Sequence, residues 1–284
     1  MPGPLRPAPA RAAHTGHMTH RLAATIIAVL LAGCGLLPTP ARDALDEGFV
    51  RPPAEGLLLG PTAPGPLTGR TIVVDPGHAG LYDRAVSAHP LDMGPAGTRP
   101  CYTDGATAPD GTPEHTLNFD VATRLATHLR DRGATVVLTR GDDASLGPCN
   151  DDRARLANAH GADLLVSLHF DGDSADKHGF HLIYAPTMVG GEALTERSRT
   201  VALALANALR AGTPLPPANY KGTPDAPLDP RTNLGVLSLL DTTPGVLVEL
   251  ANLGSPDDWA LVQDPATLDA AASALADGVV TALP

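Results

Sequence analysis

Four side chains in this sequence could between them hold a metal ion and move a proton: His78, Glu114, His169 and Glu249. Two histidines and a glutamate are a common ligand set for catalytic zinc, because three protein donors leave the fourth tetrahedral position open for water. A further glutamate that stays off the metal can take the proton of that water as it attacks. Taken singly, each residue has a plainer reading. A histidine after a strand is often a hydrogen-bonded loop residue, and a glutamate in an apolar run is often paired with an arginine. Val246-Leu247-Val248-Glu249-Leu250 demands more, since burying a carboxylate without a partner is strongly unfavourable. Glu114 stays open between two roles: it can stabilise a helix N-terminus or reach a metal held by His78. There is no HExxH helix, so the fold itself must assemble the set.

The elements that would do so alternate along the chain. Thr71 to Val74 is too short for a helix and apolar on both faces, as expected of a buried strand in an α/β sheet. It stops at Asp75-Pro76-Gly77 and delivers His78 at its carboxyl end, where open α/β sheets place their sites. Asp163 to Phe170 ends near His169 and Gly245 to Leu250 near Glu249 in the same way. Between them, Thr112-Pro113-Glu114 opens a helix, with Thr112 as the expected N-cap and Leu117, Val121, Leu125 and Leu129 as its buried stripe. Gly133 ends that helix. Thr135 to Thr139 is the next strand and Asp151 to His160 a short helix. Strand, helix, strand, helix, strand indicates βαβ units and a largely parallel sheet. Gly179 to Ala185 adds a strand that points His181 to one face, and a long helix runs from about Gly191 to Leu209. Val236 to Leu240 and Gly245 to Leu250 follow as apolar runs. Pro256 to Val262 and Pro265 to Leu283 look helical. Two long loops, Gly80 to Gly111 and Gly212 to Asn233, are rich in glycine and proline; loops of that length in a compact domain are functional or tied down.

The hydrophobic share of 43% is enough for a core, yet only 3% of residues are aromatic, so Val, Leu, Ile and Ala must build it. The net charge is −11 and grows more negative without residues 1–33, which hold three arginines and no acid. Nucleic acid is therefore not expected as a partner. An anionic polymer would have to be held by local contacts. Arg21 precedes an apolar stretch, Leu22 to Leu31, too short to span a bilayer comfortably, and Leu31-Ala32-Gly33-Cys34 follows. This resembles the lipobox of bacterial lipoprotein signal peptides. It implies cleavage before Cys34, a lipid on that thiol and a mature protein anchored at the outer face of the plasma membrane; simple secretion is the alternative. Met18 is a second candidate start. In an exported chain the remaining cysteines, Cys101 and Cys149, are expected to be bridged. From Gly35 to Thr68 seven prolines and no sustained apolar period predict an extended tether, residues 34–68, with the folded domain at 69–284. No pattern marks a coiled coil, and a monomer is expected.

At the four site residues the chain resembles the zinc-dependent N-acetylmuramoyl-L-alanine amidases of bacterial cell walls, whose first motif reads like VVDPGHGG. Here it stands as Val73-Val74-Asp75-Pro76-Gly77-His78-Ala79-Gly80, and Glu114, Ser167-Leu168-His169 and Val246-Leu247-Val248-Glu249 follow in the family's order. Ala79 departs from the usual second glycine, and Phe170-Asp171 follows His169 where smaller or polar residues are common. The resemblance implies a single α/β domain with a twisted six-stranded sheet flanked by helices on both faces. It implies Zn2+ on His78, Glu114 and His169, Glu249 as catalytic acid/base, and cleavage of the amide joining the lactyl group of N-acetylmuramic acid to L-alanine in peptidoglycan. Arg231 and Asn233, ahead of the Glu249 strand, could meet carboxylates of the stem peptide. A protein that keeps the fold to bind or regulate without cleaving, or a zinc hydrolase of another amide, remain the alternatives.

Overall fold

The computed structural model describes residues 49–284. In chain order its elements are β1 (Leu57–Leu59), β2 (Thr71–Pro76), α1 (Arg84–Ser87), β3 (Pro90–Asp92), β4 (Thr98–Pro100), α2 (Glu114–Asp131), β5 (Thr135–Leu138), α3 (Asn150–Ala159), β6 (Leu164–Asp171), β7 (His181–Tyr184), α4 (Gly191–Gly212), β8 (Leu228–Pro230), α5 (Gly235–Ser238), β9 (Gly245–Asn252), α6 (Pro256–Val262) and α7 (Pro265–Ala282). The main sheet runs β1-β5-β2-β6-β9-β7-β8. Its centre, β5-β2-β6-β9, is parallel. β1 is antiparallel to β5 and β7 to β9, while β8 follows β7 in parallel.

Strand parity explains the two faces. Ile72, Val74, Val166, Val246 and Val248 point into a core closed by Val121, Leu125 and Leu129 of α2, Val201 and Leu205 of α4, and Leu275 and Val279 of α7. Val73, Val137, Leu165, Ile183 and Leu247 point the other way, against Ala154 and Ala157 of α3 and Val236 and Leu237 of α5. Near-continuous apolar strands are what a sheet covered on both faces requires. The expected α/β class, largely parallel sheet and helices on both faces all hold.

The sheet has seven strands where six were expected, and the domain starts before Gly69. The added edge is β1, inside the stretch taken for a tether: Leu58 pairs with Val137. Further upstream Phe49 is buried with its ring stacked on His89 at 3.7 Å, and Arg51 pairs with Asp151 at 2.9 Å. The prolines of this segment do keep it extended, but apolar and charged residues between them fasten it to the domain. One local expectation also changes: Pro113, not Thr112, is the N-cap of α2. The apolar run from Val236 to Leu240 opens as the helical turn α5. The leader at residues 1–33, Cys34 and the first part of the tether lie outside the described residues. Among the described residues no helix is long and apolar enough to cross a membrane.

The first long loop is tied down by a disulfide between Cys101 and Cys149. Around it Leu91, Met93, Ala96 and Tyr102 form a small core of their own beneath the β3–β4 hairpin. The carboxyl ends of β2, β6 and β9 and the amino end of β7 all meet at one edge of the sheet, beside this loop.

Candidate active site

His78 sits just past β2 and takes φ 60°, the one non-glycine of positive φ among the described residues. That conformation costs about 1–3 kcal/mol and persists only where surroundings over-determine it. Here two buried arginines do so. Arg153, from α3, pairs with Asp75 and donates to the carbonyls of Pro76, His78 and Pro148. Arg140, past β5, donates to the carbonyls of Pro76 and His115 at 3.0 and 2.8 Å. Asp75 also accepts from Thr139 and Ser167. Burial alone would raise the Asp75 carboxyl, but the Arg153 guanidinium and these hydroxyls hold it below the usual carboxylate range.

Three of the sequence candidates converge. One carboxyl oxygen of Glu114, Oε1, lies 3.0 Å from Nε2 of His78 and 3.0 Å from Nδ1 of His169. The candidate ligand atoms of His78, Glu114 and His169 all lie within 4.8 Å of one another. Glu114 is fixed by donors on every side: Asn118 Nδ2 one turn along α2, Phe170 N–H at 3.1 Å, and Ala106 N–H at 2.7 Å on Oε2. The Phe170 amide is available because the β6–β9 ladder slips after His169, a common device beside sites. Glycine is required at two contacts. A Cβ on Gly77 would stand 2.2 Å from the His169 ring, and Gly105 (φ +91°) has Glu114 and His78 against the place a Cβ would take.

Burial pushes the Glu114 carboxyl up, but hydrogen bonds from His169 and His78 outweigh it and hold the group well below its ordinary value. For His78 burial favours the neutral form, yet contact with Glu114 leaves its pKa raised; for His169 burial prevails and lowers it. Nδ1 of His78 faces the Thr103 carbonyl at 2.8 Å. A carbonyl only accepts, so Nδ1 carries a hydrogen. A second proton on Nε2 makes the hydrogen bond to Glu114; a metal ion held there would take that proton's place. The donor set, two imidazoles and one carboxylate, fits zinc.

Glu249 is the register partner of His169 on β9 and lines the same cleft, of about 450 Å3, with the other three. It is not one of the three residues whose ligand atoms cluster. Burial, then the nearby Glu114 and Asp171 charges, push its pKa well above normal, opposed by Arg231. A carboxyl so placed is poised to exchange protons. Arg231 and Asn233 line the cleft too, with Arg231 Nε donating to Asn233 at 3.2 Å.

Sequence reasoning missed the residues that hold the site. Arg153 lies on the face of α3 that also buries Ala154 and Ala157, and an arginine there calls for a buried acid; Asp75 at a strand end was the available one. Arg99, from β4, joins the cleft wall, because the disulfide-tied loop folds beside the site.

Fold and site together define a hydrolase of the α/β class built round a His-Glu-His cluster with a separate buried glutamate. Residues 72–281 match the family model described as N-acetylmuramoyl-L-alanine amidase, and the chain belongs to that family, whose members cleave an amide of the bacterial cell wall. It is 36% identical over 217 residues to N-acetylmuramoyl-L-alanine amidase Rv3717 of Mycobacterium tuberculosis, covering 76% of this chain and 87% of the relative. Its structure is similar to that of the amidase Ami1 of Mycobacterium smegmatis, with TM-score 0.72, 33% identity and coverage of 76% of this chain and 98% of the other. Ami1 of Mycobacterium abscessus, in its apo form, gives TM-score 0.71 at 36% identity, covering 76% and 100%.

Proposed function

We propose that this chain is a zinc-dependent N-acetylmuramoyl-L-alanine amidase, with His78, Glu114 and His169 as zinc ligands and Glu249 as the acid/base. The observation that carries it is the convergence of His78 Nε2 and His169 Nδ1 on Glu114 Oε1, each at 3.0 Å, with one ligand atom of each residue within 4.8 Å of the others. Bound there, zinc would supply Lewis acidity to the amide carbonyl and acidify water toward a pKa of about 7. The chain's own residues do the rest. The Thr103 carbonyl fixes the His78 tautomer and Ala106, Asn118 and Phe170 fix Glu114, as partners of metal ligands commonly do. Glu249 removes a proton from the attacking water and returns one to the departing amine. The C–N bond breaks, the lactyl carbonyl keeps the oxygen as a carboxylate, and L-alanine leaves with a free amino group.

Arg231 and Asn233, with Arg99 in the same cleft wall, are the candidates for binding stem-peptide carboxylates. The leader with Cys34 supports export and lipid anchoring at the outer face of the membrane, where a tethered monomer would meet peptidoglycan. The test is metal content and cleavage together. Full-length enzyme with one zinc per chain should release peptides with a free L-alanine amine from muropeptides, lose this on chelation and recover it with zinc. A folded, zinc-loaded enzyme that releases no such peptide rules the reading out.

A further inference from the structure

We propose that His181 is the positioning partner of Glu249, giving the hydrogen bond that holds one carboxyl oxygen so that the other faces the scissile amide. This rests on the reading of Glu249 as the proton carrier. β7 runs antiparallel to β9 and pairs His181 directly with Glu249, which is also the register partner of His169 on its other side. Opposed residues of a ladder project from the same face, with Cβ atoms about 4.5–5.5 Å apart. His169, Glu249 and His181 therefore form one row across three adjacent strands.

Two atoms of this row lack partners. Nδ1 of His181 and Oε2 of Glu249 are both buried with no hydrogen bond among the described residues. Buried polar atoms are rarely left unpaired, and an imidazole N–H and a carboxyl oxygen are complementary. The two atoms do not bond directly in this geometry; one bridging water, or a small rotation of either side chain, satisfies both orphans at once. The imidazole is 1% exposed and is backed edge-on by the Tyr220 ring at 5.5 Å, whose hydroxyl donates to Asp171 at 2.8 Å. Burial drives the His181 pKa down to about 4, so it is neutral at physiological pH and has one N–H to give. Glu249 lines the cleft and His181 does not, so His181 acts through Glu249.

The experiment compares His181→Asn, His181→Gln and His181→Leu in the zinc-loaded, full-length enzyme on a muropeptide, with zinc content measured for each. Asn places an amide near the position of Nδ1, Gln places one near Nε2, and Leu has none. His181→Asn should keep kcat within about threefold of wild type, whereas Gln and Leu lose roughly tenfold or more in kcat at nearly unchanged KM and full zinc content. A Leu variant with wild-type kcat, an Asn variant as impaired as Gln, or a loss confined to KM or zinc overturns the proposal. Where Leu fails to fold, the Asn and Gln pair, equal in polarity, still decides. Wild type that cleaves nothing instead removes the amidase reading itself, which separates the two failures.

Discussion

Arg153 on α3 and Asp75 on β2 form a fully buried ion pair, and the same guanidinium caps the backbone carbonyl of His78. The pair thus connects the sheet to the one left-handed histidine of the site. Removing one partner of a buried pair leaves an uncompensated charge, which typically costs 3–5 kcal/mol, about ten times the effect of an exposed pair. Arg153→Met should therefore destabilise the domain by about 3–5 kcal/mol in urea unfolding, and adding Asp75→Leu should recover part of that loss, the remainder coming from the carbonyls and hydroxyls the pair also serves. Equal losses in the single and double variants would show that the charge is not the issue.

The same pair fixes a pH dependence. The folded-state pKa of Asp75 is depressed below the unfolded value of about 3.9, so its contribution to stability is fully present above that pH. It is lost as the pH falls through the depressed value. The stability gap between wild type and Asp75→Asn should be constant from neutrality to about pH 5 and narrow below about pH 4. Thermal unfolding across that range measures it; a gap that stays constant to pH 2 contradicts the assignment.

Gly77→Ala should act on metal binding. Its methyl would fall 2.2 Å from the His169 imidazole, so that ring must move. A loss of roughly tenfold or more in zinc affinity is expected, read by chelator competition, because displaced ligand geometry typically costs that much. Unchanged affinity would mean that His169 is not a ligand.

Arg99 and Arg231 stand at the cleft with guanidinium groups that meet no carboxylate among the described residues, although acids outnumber bases in the chain. A charge-assisted hydrogen bond is worth about 1.5–3 kcal/mol. Wild type should therefore favour a stem peptide with a free carboxylate over its amidated form by roughly tenfold or more in kcat/KM. Arg99→Gln and Arg231→Gln should each shrink that ratio. Equal rates on both substrates in wild type would remove these arginines from recognition.

Much of the fold and of the site is legible in the sequence. Short apolar runs ending in Pro-Gly-His, Leu-His and Val-Glu mark strand ends, and the parallel order follows from the helices between them. What periodicity cannot register is a contact between distant polar groups. Nothing local to Arg153 names Asp75, and nothing local to His181 names Glu249; both depend on strand order and register. β1 escaped because three leucines among prolines carry no alternation, and the edge they complete exists only once β5 is in place. Glu114 was ambiguous because a helix start suits a carboxylate with or without a metal; here it turns back toward β6, drawn by the Phe170 and Ala106 amides.

The most direct test of the central claim is product analysis by mass spectrometry for the full-length, zinc-loaded enzyme and its Glu249→Gln variant on one defined muropeptide. The account expects wild type to yield a free lactyl carboxylate and a peptide with an L-alanine amine. Glu249→Gln, holding equal zinc, should be slower by about 100-fold or more, the scale of a lost general acid/base. A zinc-loaded Glu249→Gln variant that cleaves the same bond at the wild-type rate contradicts it.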